Sequence, residues 1–265
     1  MKEQSLNTSL VITTYNWPQA LQVCLESVVR QSVMPDEVII ADDGSTDDTR
    51  QVIDAFRATS SVNIKHVWHE DMGFRKSAIL NKALAMIDPH NFVILADGDL
   101  LLHKHFVKDH VRLAEPGYYT FGRRVYLSET VTHEVLASRI GEPGIWQSGI
   151  KHRTNMLHLP LLSPITKRYR RGRPYGQGCN LAAWQQDILR VNGFDEDYEG
   201  WGYEDTDFIC RLRNSGLVSK AAKYQAIVYH LFHPTRPVGN TNLEQLNQTQ
   251  RNHSRMCRNG IKKIN

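Results

Sequence analysis

Strand-like and helix-like segments alternate through the first hundred residues, and this alternation narrows the folds open to the chain more than any other feature. Leu10-Val-Ile-Thr-Thr14 reads as a short buried strand. Pro18 then opens a stretch in which Ala20, Leu21, Cys24, Leu25, Val28 and Val29 recur at helical spacing. Val38-Ile-Ile-Ala41 is a second strand, followed by a turn over Asp42–Asp47 and a helix carrying Val52, Ile53 and Phe56. Ile64–Trp68, Ala78–Ile87 and Phe92–Ala96 continue the series as strand, helix and strand. Such a series builds a mostly parallel central sheet flanked by helices, an α/β fold. Ligands of these sheets collect beyond the carboxyl ends of the strands.

Acidic turns stand at two of those ends. Asp42-Asp43-Gly44-Ser45 follows the second strand and Asp97-Gly-Asp99 the fourth. Two carboxylates one residue apart can grip a hard divalent cation and a diphosphate that it bridges; either turn alone reads more readily as a solvated Asp-Gly turn, and what favours a site is that the two lie on one edge of the sheet. The first strand runs into Tyr15-Asn16-Trp17 without a GxGxxG, which disfavours a dinucleotide site. Arg75 and Lys76 open the third helix, where cations beside free N–H groups attract phosphate. Gly200-Trp-Gly-Tyr-Glu-Asp-Thr-Asp207 sets a Trp, a sugar platform, beside carboxylates that can act as general bases. His230-Leu-Phe-His233 follows the apolar Ala226–Tyr229 strand and offers a metal ligand.

Charge separates the regions of the second half. Residues 151–178 hold seven Lys or Arg and no carboxylate, centred on Lys167–Arg173, whereas Asp187–Asp207 holds eight carboxylates against one Arg. The net charge of +4 is too small to imply nucleic acid. No Pro- or Gly-rich linker divides the chain, so one domain is expected over 1–265, whose second half supplies part of the site. Cys24, Cys179, Cys210 and Cys257 lack CxxC spacing and read as reduced thiols. No apolar run approaches membrane-spanning length, and the polar first eight residues lack a signal core, so a cytoplasmic protein is expected.

Taken in order, Thr14-Tyr-Asn-Trp17, Ala41–Asp47, Phe74–Asn81, Asp97-Gly-Asp99, Gly193-Phe-Asp195, Gly200–Asp207 and His230–His233 resemble the family 2 glycosyltransferases of the GT-A, Rossmann-like fold. Within them the likeness is to the branch of β-1,4-galactosyltransferases and chondroitin-polymerase-type enzymes. The resemblance implies a UDP-sugar donor and Mn²⁺ or Mg²⁺. It puts Thr14, Asp43, Phe74, Lys76, Asp97 and Trp201 at the donor, with Asp43 on the uracil and Asp97 on the ribose side. It makes Asp99 a metal ligand together with His230 or His233, either of which fits the pattern. Asp205 becomes the catalytic base, with Glu204 and Asp207 as its supporting neighbours and Glu204 also shaping the sugar sites; 1–100 becomes the nucleotide-binding half and 101–265 the acceptor-binding half. Gly202-Tyr203 stands where the family has Gly-Gly. The implied reaction is inverting transfer, galactose or N-acetylgalactosamine favoured, to a hydroxyl of a bacterial surface glycan such as lipopolysaccharide core or capsule.

Two other readings use the same acidic turns: a metal-dependent nucleotide-sugar hydrolase, and a non-catalytic glycan-binding module. The first leaves the Trp-Gly-x-Glu-Asp segment unexplained, and the second has no need of both Asp99 and Asp205. At the C-terminus, Arg251, Arg255, Arg258 and Lys262 fall at offsets 0, 4, 7 and 11, the stripe of a basic amphipathic helix. Such a helix, with Lys167–Arg173, can bring the chain peripherally to an anionic membrane carrying a lipid-linked acceptor. The alternative is a C-terminal helix packed on the domain and interrupted at Asn259-Gly260.

Overall fold

The computed structural model describes residues 6–138, 141–162, 169–170, 178–234 and 240–264. Leu10 and Ile12 point to one face of the first strand and Val11 to the other, yet all three are fully buried. A strand apolar on both faces needs cover on both. The chain supplies it by alternating β1 (Thr8–Thr14), α1 (Pro18–Val28), β2 (Glu37–Asp42), α2 (Asp47–Thr59), β3 (Asn63–Trp68), α3 (Lys76–Leu84) and β4 (Phe92–Asp97). These strands pair in parallel in the order β3-β2-β1-β4. Leu10 and Ile12 pack with Leu21, Cys24 and Leu25 of α1 and Ile53 of α2. Val11, Ile39 and Val93 pack with Ile79, Leu80 and Ala83 of α3 on the opposite face.

Beyond β4 the pattern becomes less regular. β5 (Leu100–Leu102), α4 (Phe106–Leu113), β6 (Tyr118–Phe121), β7 (Arg124–Leu127), α5 (Glu129–Ser138), β8 (Ile150–Lys151) and two 3₁₀ turns at Arg153–Met156 and Pro160–Leu162 follow. Then come β9 (Tyr169–Arg170), β10 (Asn180–Trp184), α6 (Gln185–Arg190), α7 (Glu204–Asn214), β11 (Val218–Ala221), β12 (Val228–His230) and α8 (Asn240–Arg251). β10 joins β4 antiparallel and extends the first sheet through β6, β11 and β9. A second sheet, β5-β12-β7-β8, leans against the edge where β4 ends. Of its strands the sequence pattern announced only the Ala226–Tyr229 run, which overlaps β12, because they are only two to four residues long.

Two expectations about basic segments meet the structure differently. The Lys167–Arg173 run lies outside the described residues except for the backbone of Tyr169–Arg170. The C-terminal stripe is not helical: α8 ends at Arg251, and His253 takes φ 49°. Arg255, Arg258 and Lys262 therefore sit on turns. The segment is pulled onto the domain instead, with Cys257 buried and Asn192 donating to the carbonyls of Cys257 and Lys262 at 3.0 and 2.8 Å. Gly260 allows this, since a Cβ there would meet the Asn192 carbonyl oxygen at 1.8 Å.

Arg211 of α7 is the bulkiest fully buried side chain. Its Nε donates to Asp207 Oδ2 at 2.8 Å, and its guanidinium donates to the carbonyls of Val191 and Gly193, each at 2.7 Å. Thr249 of α8 donates to the other Asp207 oxygen at 2.7 Å. Asp207 is thus a structural anchor facing away from Asp205, contrary to its expected role as a supporting neighbour of the base. Arg211→Met strands a buried carboxylate, so about 3–5 kcal/mol of stability should disappear in urea unfolding. A loss below 1 kcal/mol, the range of an exposed pair, would contradict this account.

Candidate active site

The sheet topology brings the predicted residues to one edge. β4 ends at Asp97, whose Oδ1 accepts from Thr13 Oγ1 at 2.7 Å and lies 3.0 Å from Lys76 Nζ. Lys76 is the first residue of α3 and reaches across to Asp205 Oδ2 at 3.8 Å. Burial works against the Lys76 charge, but Asp205, Asp97 and Glu204 outweigh it and hold the amine protonated well above its ordinary range. Asp97 is likewise buried, yet Lys76 and the Thr13 hydroxyl hold its carboxyl below the usual value. The amine that the sequence assigned to phosphate is therefore engaged as the cation between two carboxylates.

Asp205 lies in the first turn of α7 but does not serve as its cap. The N-cap is Tyr203, in the left-handed region at φ 71° where the family pattern has a second glycine, and no side chain caps the helix. Asp205 Oδ2 instead accepts from the Gly178 amide at 3.2 Å, and its Oδ1 is buried with no hydrogen-bond partner among the described residues. A Cβ on Gly178 would lie 2.1 Å from that oxygen, so only glycine lets the backbone come this close. Burial raises the Asp205 carboxyl, against the pull of Lys76. Glu204 is pushed up to about 7 by burial and then by the Asp205 charge, and its carboxylate accepts from the Gly202 amide at 3.0 Å.

Asp99 begins the second cluster. β12 pairs antiparallel with β5, setting His230 opposite Leu100, and Leu231 N–H donates to the Asp99 carbonyl at 3.0 Å. Nε2 of His230 and of His233 lie 3.5 and 3.2 Å from Asp99 Oδ2. Donor atoms of all three residues fall within 4.8 Å of one another, and Asp99 Oδ1 is buried with no partner. An orphaned carboxylate oxygen beside two imidazole nitrogens fits a divalent cation. The sequence allowed either histidine; the structure puts both within reach. They differ in surroundings: burial lowers the His230 pKa, while the hydrogen bond to Asp99 raises that of His233.

Asp43 marks the far end of the cleft. It accepts from His69 Nε2 at 2.7 Å and from the Arg75 amide at 2.9 Å, and burial raises its pKa. Its own N–H donates to the Thr14 carbonyl at 3.0 Å. Asp42, by contrast, is tied up with His66 and the Ser45 amide in holding the turn. Phe74 O accepts from Gly200 N at 3.4 Å, which draws the Trp201 loop to the start of α3. Asn242 of α8 donates to the carbonyls of Glu199 and Gly202, fixing that loop with the Trp201 ring 37% exposed.

Arg124 of β7 is the residue that sequence reasoning missed. Its guanidinium stacks on Tyr126 at 5.1 Å, its buried Nε has no partner, and its charge acts on both Asp97 and Asp99. The only signal was a cation in an otherwise alternating apolar strand. Arg124 is also raised in pKa, its burial outweighed by surrounding acidic groups.

An α/β sheet of this topology with an Asp-x-Asp at the end of β4 is the arrangement of a GT-A fold. The pattern of Glycosyl transferase family 2 matches residues 9–172, and that of the N-terminal domain of galactosyltransferase matches 164–234. The chain belongs to glycosyl transferase family 2. It is 27% identical to chondroitin synthase of Escherichia coli over 84% of this chain and 34% of that protein. It is 28% identical to validoxylamine A glucosyltransferase of Streptomyces hygroscopicus over 79% of this chain and 48% of that one. The chain thus spans between a third and a half of the length of these two relatives. Among solved structures, S. aureus TarS 1-349 in complex with UDP superposes with a TM-score of 0.64 at 17% identity, over 94% of this chain and 65% of that one. The mannosyltransferase PcManGT from Pyrobaculum calidifontis, in complex with GDP-Man and Mn2+, gives 0.57 at 19% identity, over 87% and 58%. The structural likenesses establish the GT-A fold. Among the described residues no helix is long and apolar enough to cross a membrane.

Proposed function

We propose that the chain is an inverting glycosyltransferase that moves a sugar from a UDP-sugar to a glycan hydroxyl. The observation that carries this reading is Asp205: a buried carboxylate oxygen without a partner, beside Lys76 and in a helix turn it does not cap. Galactose or N-acetylgalactosamine is the favoured sugar, and a bacterial surface glycan, free or lipid-linked, the favoured acceptor. The likeness to a chondroitin synthase supports the polysaccharide assignment, and the UDP in the TarS structure supports the donor.

In this reading Asp205 takes the proton from the acceptor hydroxyl, whose oxygen attacks the anomeric carbon opposite the departing UDP. Lys76 holds Asp205 and Asp97 in register. Asp43 receives the uracil, Thr14 and Phe74 border the nucleotide, and Trp201 offers its face to a sugar. Asp99, His230 and His233 would hold a divalent cation, which supplies Lewis acidity toward the diphosphate. Incubation with UDP-sugars and Mn²⁺, with and without acceptor glycans, tests the reading by product mass. Lengthened glycan supports it; free sugar formed equally without acceptor overturns it in favour of hydrolysis.

The base has a pH signature. Glu204 and Asp205 are adjacent carboxyls titrating as an interacting pair, and Glu204 is raised to about 7. A raised carboxyl stays protonated below its pKa, so the acid limb of activity should lie above the ordinary carboxyl range of about 4. In Glu204→Gln the neighbouring charge is gone, and the acid limb of kcat/KM should move to lower pH. A limb that stays put would remove Glu204 from the titrating pair.

A further inference from the structure

A second constellation of histidines lies at the other end of the ribbon that carries Asp99 and His230. β5 (Leu100–Leu102) separates Asp99 from His103, at only ~3.3 Å per residue. There His103 and His105 lead into α4, Asp109 sits in the first turn of α4, His158 arrives from between the two 3₁₀ turns, and Glu142 from the loop after α5. His158 Nε2 is 2.9 and 3.2 Å from the two Asp109 oxygens, and His103 Nε2 is 3.5 Å from Glu142 Oε2. The rings of His103 and His158 are 4.6 Å apart, and donor atoms of His103, Asp109 and His158 all lie within 4.8 Å of one another.

We propose that His103, Asp109 and His158, with Glu142 as the fourth group at hand, bind a zinc-class divalent ion that clips the 141–162 segment to the corner between β5 and α4. Four ligands at ~2.0–2.2 Å from a tetrahedral ion stand a little over 3 Å apart, the spacing of the His158–Asp109 and His103–Glu142 pairs. Two imidazoles and carboxylates suit zinc or cobalt better than magnesium. Loading replaces the Nε2 protons that now bridge to Asp109 and Glu142, and each ring keeps its one proton on Nδ1. The His105 amide, which donates to His103 Nδ1 at 3.2 Å, is released in exchange. The ion would also brace β12, because Asp109 Oδ2 accepts from Ala226 N–H at 2.9 Å and His103 N–H donates to Ile227 O at 3.1 Å.

The test must silence the Asp99 cluster, which has a similar donor set. The full chain carrying Asp99→Asn is stripped with chelator, then titrated with Zn²⁺ by equilibrium dialysis and with Co²⁺ by visible absorption. One ion should remain, with the intense visible bands of tetrahedral Co²⁺, and Zn²⁺ should raise the melting temperature. Adding His158→Gln, which can still donate to Asp109, should weaken Zn²⁺ by more than the roughly 10–100-fold that loss of an outer-shell partner costs. Equal Zn²⁺ binding by the two proteins overturns the site. So does the absence of any Zn²⁺-dependent thermal shift in Asp99→Asn itself, a result that does not depend on how the double variant folds.

Discussion

Asp205→Asn is expected to lower turnover by roughly 10²–10⁴-fold, the usual share of general acid–base catalysis, while UDP-sugar and metal still bind. The base meets only the reacting hydroxyl, so its removal costs transition-state stabilisation and leaves the donor complex standing. The contacts sharpen the expectation. Asp205 caps no helix end, so the loss of about 1 kcal/mol that a missing cap produces is not expected. The Asn side chain can still accept from the Gly178 amide, which Asp205 Oδ2 now does at 3.2 Å. Lys76 keeps Asp97 at 3.0 Å as its partner. Calorimetric donor titration beside steady-state rates reads both quantities. Near-normal turnover would remove Asp205 from the chemistry.

Asp99→Asn should behave in the opposite way. Asp99 Oδ2 lies beside the two histidines, and Oδ1 has no hydrogen-bond partner among the described residues. An amide supplies one neutral oxygen where a hard cation takes a charged one. Metal-dependent donor binding should therefore fall with the rate, by more than the roughly 10–100-fold of an outer-shell loss. Chelator should abolish wild-type activity and Mn²⁺ restore it. His230→Ala and His233→Ala, assayed separately, tell which imidazole matters more. An enzyme fully active in EDTA, or an Asp99→Asn protein with unaltered donor affinity, would defeat the metal assignment.

How much was legible beforehand follows the length of the elements. The strands β1 to β4 and helices α1 to α3 could be read because each is long enough to show its period, and both faces of the strands are apolar. Asp97, Asp99 and Asp43 were visible as acidic turns because strand ends point at ligands. Of the β5-β12-β7-β8 sheet only the β12 strand was read from the Ala226–Tyr229 run, and with the others went Arg124 and the histidine cluster at residue 103. These residues meet only through pairings distant in sequence, such as His230 with Leu100. Asp207 was misplaced for a related reason. An acid two residues from the base looks like a partner in sequence, but a helix turns it about 200° away, toward Arg211. The basic C-terminal stripe failed because periodicity ignores where a helix stops; Asn192 and Gly260 hold that segment in another conformation.

The pairing of β12 with β5 has a consequence for biosynthesis. A chain grows from its N-terminus, and domains begin to fold as they emerge. The parallel strands at residues 8–97 are complete long before His230 exists, yet the proposed cation site needs His230 and His233 on the Asp99 edge. A nascent or prematurely terminated chain can thus have its first sheet in place and still be unable to assemble the full ligand set. The last-made part of the site arrives together with the strand that completes the second sheet, so competence to hold the ion and correct closure of that sheet are acquired in one event.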